Sequence, residues 1–241
     1  RDRRRADSMV FRKVRIAMTP AILIAGDSIA ATYPAEHVPM TGWGQVLGEL
    51  TRPEIRVVNF ASPGRSTKSF RTQGRWDALL GALRKDDFVL IQFGHNDQKA
   101  DIPYDYADEN AYCANLKRFI SEVRAKEAFP VLLTSVARRK FDEHGVPLQT
   151  LGVYPELMRG TAEETEVPLI DLNAMTTDWL TRIGAEASGE YFMHVPPGIY
   201  PDWKDGAADD THFSEKGARL IAGMIAEDAK RRRLPLAECF L

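Results

Sequence analysis

A chain of 241 residues can bury a sizeable core within one α/β domain and is short for two. Its 32 basic and 34 acidic residues nearly cancel, which removes the strong field expected of a nucleic-acid or membrane-surface binder. No apolar run reaches the roughly 20 residues that a bilayer-spanning helix needs.

The N-terminal run from Arg1 to Arg5 is basic and is not followed by a signal-type apolar stretch. It reads as a solvated extension over residues 1–17, ahead of a single domain over residues 18–241. Five short runs rich in branched aliphatic residues follow, at residues 21–25, 55–60, 88–93, 130–135 and, more weakly, 167–170. None alternates cleanly between apolar and polar, the pattern of strands buried on both faces. Helical patterns lie between and after them, at residues 76–83, 109–126, 154–164 and 175–183. The second carries Tyr112, Leu116, Phe119, Ile120 and Val123 at helical spacing. A last helix starts at Ser214, a suitable N-cap, and runs through Leu220, Met224 and Ile225 to the cationic residues Arg231 to Arg233, which complement its C-terminal dipole. Residues 188–210 read as a long loop containing Pro and Gly. This alternation predicts an α/β fold with a parallel sheet covered on both faces. The two cysteines, Cys113 and Cys239, are too few for a disulfide framework and are expected as unpaired thiols. That tilts the expected compartment toward the cytoplasm rather than the exterior.

Ligands of open parallel sheets bind beyond the carboxyl ends of the strands. Gly26-Asp27-Ser28 follows the first strand, Ser62-Pro63-Gly64-Arg65-Ser66-Thr67 the second and Gly94-His95-Asn96-Asp97 the third. Asp209-Asp210-Thr211-His212 leads into the last helix. In a flavodoxin-like order 2-1-3-4-5, Ser28 would stand between Gly64 and Asn96. Acyl transfer requires a nucleophile, a base, a group that orients the base, and donors for the oxyanion. Ser28 suits the first role, His212 the second and Asp209 the third. The backbone N–H groups of Ser28 and Gly64, with the Asn96 amide, suit the last, Gly64 because a missing side chain permits close approach. Each element alone is commonly a turn, a cap or a surface pair; their joint order along the chain makes the signal.

Those four blocks resemble the signature blocks of the SGNH (GDSL-type) hydrolases, with Ser28, Gly64, Asn96 and His212 at the four namesake positions and Asp209 where the family places its triad acid. A narrower resemblance, to the rhamnogalacturonan acetylesterase group, rests on Gly42-Trp43-Gly44-Gln45, Gly64-Arg65-Ser66-Thr67-Lys68-Ser69-Phe70, Phe93-Gly94-His95-Asn96-Asp97 and Thr211-His212-Phe213-Ser214-Glu215-Lys216-Gly217-Ala218. Tyr154-Pro155 and Val167-Pro168-Leu169-Ile170-Asp171-Leu172 add to it. The resemblance implies a flavodoxin-like three-layer α/β/α sandwich on a five-stranded parallel sheet. It further implies a serine esterase that removes acetyl groups from plant cell-wall polysaccharide of the pectin type, or from its oligosaccharides, without a cofactor. The partner is then an acetylated carbohydrate, with no nucleic acid and no membrane. Ile29 departs from the small or polar residue expected after the serine and is expected to alter the site wall.

Four other readings compete. His95, Asp97, Asp205, Asp209, Asp210 and His212 offer oxygen and nitrogen ligands for a metal-dependent hydrolase, but zinc-type spacing is lacking and Ser28 and Gly64 would be idle. Gly42-Trp43-Gly44 begins like a dinucleotide loop, yet Leu47 stands where the third glycine belongs and Gly48 is one residue late; a helix start packed by Trp43 fits better. Tyr191, Phe192, Tyr200 and Trp203 could stack on sugars in a non-catalytic carbohydrate-binding domain, or simply anchor the loop. A lipase or thioesterase acting on a non-carbohydrate ester shares the same machinery.

Overall fold

A computed structural model of the chain describes residues 19–241. The basic run and the extension expected over residues 1–17 lie outside the described residues. In chain order the elements are β1 (Ala21–Gly26), α1 (Trp43–Val46), β2 (Arg56–Asn59), α2 (Thr67–Thr72), α3 (Arg75–Ala82), β3 (Phe88–Gln92), α4 (Glu109–Ala125), β4 (Phe129–Leu133), α5 (Tyr154–Thr165), β5 (Leu169–Ile170), α6 (Leu172–Ser188), β6 (Phe192–Val195), β7 (Ala207–Phe213) and α7 (Glu215–Arg231).

The first five strands form one parallel sheet in the order β2-β1-β3-β4-β5, as the sequence predicts. Every residue of β1 is buried, and the two-residue period of a strand divides its side chains between two cores. Ile22 and Ile24 join Leu90, Val131 and Leu133 on one face, beneath Ile221, Ala222 and Ile225 of α7 and Trp43 of α1. Leu23 and Ala25 join Val89, Ile91 and Leu132 on the other, beneath α3, α4 and α5. The five α4 residues picked out by their spacing are the buried residues of that helix. Burial on both faces is why these strands show no polar alternation.

Side-chain caps set several helix starts. Asp108 accepts from the Ala111 N–H at α4, Asp171 from Ala174 at α6 and Ser214 from Gly217 at α7. Ser66 and Ser69 form a reciprocal capping box at α2, a short helix the periodicity does not predict. Helix α6 is longer than predicted, running from Leu172 to Ser188 across a kink at Gly184.

The expected loop over residues 188–210 is instead largely an antiparallel hairpin. Strand β6 pairs with β7, and the pairing jumps from Met193↔Asp209 to Phe192↔Phe213. Asp210, Thr211 and His212 therefore bulge out of β7. Cys113 and Cys239 are both free thiols, and burial pushes the Cys239 thiol up to about 11.

Candidate active site

Ser28 occupies the turn at the carboxyl end of β1, where the chain is braced from several directions. The buried Asp27 carboxylate accepts the Ile29 N–H (3.0 Å), and the Ile29 carbonyl accepts the Trp43 N–H (2.9 Å). Asn59 Nδ2 donates to the Ala30 carbonyl (2.7 Å), and the Tyr33 hydroxyl donates to the Ser28 carbonyl (2.9 Å). Trp43 is fully buried, with its indole N–H on Gln92 Oε1 (2.8 Å), so the Gly42-Trp43-Gly44 segment is a packed helix start. Ile29 is 1% exposed and belongs to the core. The expectation that it alters the site wall is therefore corrected: the turn rotates this side chain inward.

The bulge on β7 brings the distant end of the chain to the same place. Asp209 Oδ1 accepts the N–H groups of Thr211 (2.7 Å) and His212 (3.1 Å), which fixes the bulged backbone. Asp209 Oδ2 accepts from His212 Nδ1 at 2.6 Å, and the Ser28 hydroxyl donates to His212 Nε2 at 2.9 Å. A carboxylate only accepts, so the hydrogen of the neutral ring sits on Nδ1 and Nε2 is free to take the serine proton. Burial acts to raise the Asp209 carboxyl. The hydrogen bond and charge of His212 and the two N–H groups more than offset that, and the group stays well below the usual carboxylate range.

Gly64 lies in the turn after β2 and Asn96 in the turn after β3, on the two strands that flank β1. Gly64 adopts φ 74°, a conformation L side chains resist, although a Cβ there would meet nothing within 4 Å. Its glycine is thus required by the turn more than by crowding. Among the described residues, no protein acceptor is bound by the N–H of Ser28 or of Gly64. Asn96 is buried and its Nδ2 donates to the Arg65 carbonyl at 3.0 Å, which leaves its second amide hydrogen available.

Other polar groups form the support. His95 Nε2 faces the Val136 carbonyl (3.1 Å) and its Nδ1 faces Asp27 Oδ2 (3.2 Å), so the ring is held between the two. Burial drives the Asp97 carboxyl up to about 7 against the hydrogen bonds it receives from the Thr67 N–H (2.9 Å) and hydroxyl (2.5 Å). Asp210 takes Arg139 (2.8 Å), Lys140 (2.5 Å) and His194 (2.7 Å). Among the described residues no three His, Cys, Asp or Glu side chains gather as a metal-ligand set, and most of the six candidates are committed to these partners. Burial lowers the Arg138 guanidinium while the charges of Asp27 and Asp209 act against the shift. Arg138, Tyr33 and Lys99 carried no signal in the sequence beyond standing a few residues past a strand end.

The aromatic residues divide. Phe192 is buried against Phe213 (ring centroids 4.9 Å), and Tyr191 packs on Trp179 (4.8 Å) beneath the Lys216 ammonium (4.4 Å), so both anchor the fold. Tyr200 and Trp203 remain partly exposed, and Trp203 lines a polar cleft of about 520 Å³ with His37, Asp202, Lys204 and Asp205. The His37 ring stacks on Tyr33 (6.2 Å), the residue that braces Ser28. A more apolar cavity of about 360 Å³ opens at the other ends of the strands, beside Phe88 and Phe129, and takes no part in this site.

A serine hydroxyl on an imidazole held by a carboxylate, at the carboxyl end of a doubly covered parallel sheet, defines a serine-hydrolase type of site. Residues 24–220 match the GDSL-like lipase/acylhydrolase family, and the chain belongs to that family, whose members are carboxylic ester hydrolases. It is 42% identical to rhamnogalacturonan acetylesterase RhgT of Bacillus subtilis strain 168, over 90% of this chain and 92% of that protein. It is 37% identical to the probable rhamnogalacturonan acetylesterase YesY of the same strain, over 93% and 99% of the two chains. Among solved structures, protein YxiM of Bacillus subtilis superposes with a TM-score of 0.78 at 26% identity; the alignment covers 90% of this chain but only 57% of that one.

Proposed function

We propose that this esterase removes O-acetyl groups from a pectin-type polysaccharide of the rhamnogalacturonan class, or from its oligosaccharides, with Ser28 as nucleophile. The observation that carries the reading is the continuous chain of contacts from Ser28 Oγ through His212 to Asp209, at 2.9 and 2.6 Å. The substrate class is supported by the names of the two relatives that match nearly end to end. The partly exposed Trp203, whose indole N–H meets the carbonyl of His37 beside Tyr33, offers a face on which a sugar ring can stack, and Tyr200 is likewise partly exposed.

In this mechanism Ser28 Oγ attacks the acetyl carbonyl carbon while His212 Nε2 takes its proton. The carbonyl oxygen becomes an oxyanion, held by the N–H groups of Ser28 and Gly64 and the Asn96 amide. Collapse breaks the bond to the sugar oxygen, which leaves with the proton from His212. Water, deprotonated by the same imidazole, then attacks the acetyl-serine and releases acetate. Asp209 holds the ring and stabilises the imidazolium formed in each half.

The test is acetate release from acetylated pectin, xylan and simple acetyl sugars by wild type and Ser28→Ala. The expected outcome is preference for the pectin-type substrate and loss of turnover in a folded variant. Wild-type turnover in Ser28→Ala removes the nucleophile assignment; preference for xylan or for long-chain acyl esters removes the substrate assignment.

A further inference from the structure

The Asn96 carboxamide is held at both ends. Its Nδ2 donates to the Arg65 carbonyl (3.0 Å), and its Oδ1 accepts from the Lys99 ammonium (2.7 Å). The main-chain N–H of Lys99 also donates to the Asn96 carbonyl (3.1 Å), so one turn folds Lys99 back on Asn96. These partners leave the amide one orientation. The Arg65 carbonyl can only accept and an ammonium can only donate, so a flipped amide would set oxygen against oxygen and NH₂ against NH₃⁺. Among the described residues, no carboxylate lies within ion-pair distance of Lys99, and the side-chain acceptor it meets is Asn96 Oδ1.

We propose that Lys99 is a positioning residue for acyl transfer: it locks and polarises the Asn96 amide so that the remaining Nδ2 hydrogen meets the developing oxyanion. The inference rests on the reading of Asn96 as an oxyanion donor. A cation on the amide oxygen draws electron density away from nitrogen, which makes N–H a stronger donor. That gain grows as the ester carbonyl acquires charge, so it stabilises the transition state more than the bound ester and acts on kcat rather than KM. In the buried setting of Asn96, 4% exposed, little water competes for the hydrogen.

The experiment is a double-mutant cycle on a chromogenic acetyl ester, which carries no sugar and no anionic group that Lys99 could bind. Lys99→Met is expected to lower kcat about 5- to 50-fold with little change in KM, below the ~10²–10³-fold typical of losing an oxyanion donor outright. Asn96→Ala is expected to show that larger loss, and Lys99→Met in the Asn96→Ala background to add less than about twofold. Lys99→Arg, which keeps a cationic donor, is expected to recover most of the rate; thermal unfolding of each variant separates rate from folding. Losses that multiply across the two sites, an effect confined to KM, or wild-type kcat in Lys99→Met each overturn the inference. Wild-type kcat in Asn96→Ala overturns it at its base, by removing the oxyanion assignment, whereas a large Asn96→Ala loss with an inert Lys99→Met leaves that assignment standing and overturns Lys99 alone.

Discussion

At the scale of single residues, Asp209 does two jobs with two oxygens. Oδ1 fixes the bulged backbone through Thr211 and His212, and Oδ2 fixes the imidazole. Asparagine can keep the first role, but its amide presents a donor to Nδ1 and favours the wrong tautomer. Asp209→Asn is therefore expected to remain folded and to lose about 10³–10⁴-fold in kcat, measured by steady-state turnover alongside a melting curve. Turnover is likewise expected to fall on acidification, because a proton already on His212 Nε2 blocks transfer from Ser28; a rate that stays flat through the histidine range would take His212 out of the base role. Ser28, Gly64, Asn96, Asp209 and His212 are legible in the sequence because each stands just past a strand or just before the last helix. Lys99 is not, since three residues after Asn96 is simply a turn position until the ammonium is seen on Oδ1.

At the scale of elements, the hairpin of β6 and β7 carries His212 to Ser28, and Asp210 fastens it to the segment after β4. Its carboxylate binds Arg139, Lys140 and His194, and its carbonyl accepts the Arg139 N–H (2.8 Å). Asp210→Ala leaves Arg139, whose side chain is 17% exposed, without its carboxylate. The expected cost is about 1–3 kcal/mol, read by urea unfolding, with a several-fold drop in kcat as His212 loses its support. An unchanged midpoint and an unchanged rate would mean that the bulge holds itself. This hairpin was not legible in the sequence. Ala207–Phe213 is polar and rich in Asp, which disfavours strand, and its extended form depends on pairing with β6.

At the scale of the whole molecule, two carboxyls link stability to pH in opposite directions. Asp97 is raised from its ordinary value of 3.8 to about 7. A folded-state value above the unfolded one means that the folded state holds the proton more tightly. Its contribution to stability is full below about pH 3.8 and is lost as pH rises toward about 7. Asp209, held low, contributes above the ordinary carboxylate value and loses that contribution only as pH falls further below it. Thermal midpoints measured from pH 5 to pH 8 isolate the first effect: the wild type is expected to lose stability up this range, and Asp97→Asn to flatten the slope. The same slope in both proteins would assign it elsewhere. In the core, Phe119 packs on Trp76 with ring centroids 4.0 Å apart, and Phe119→Ala is expected to cost about 3–5 kcal/mol of unfolding free energy.

By itself the sequence determined the helical spacing of α4, the doubly buried strands, the cap at Ser214 and the identity of the groups at the strand ends, because these are set by a residue and its near neighbours along the chain. The sheet order came from the flavodoxin-like fold that the family resemblance implies, and the structure has that order. Only the tertiary structure decided that Ser28 and His212, 184 residues apart, stand within a hydrogen bond, that Ile29 turns into the core, and that β7 bulges where it does. Contacts of that kind depend on how separate elements pack and pair, and no local pattern encodes the sum of those choices.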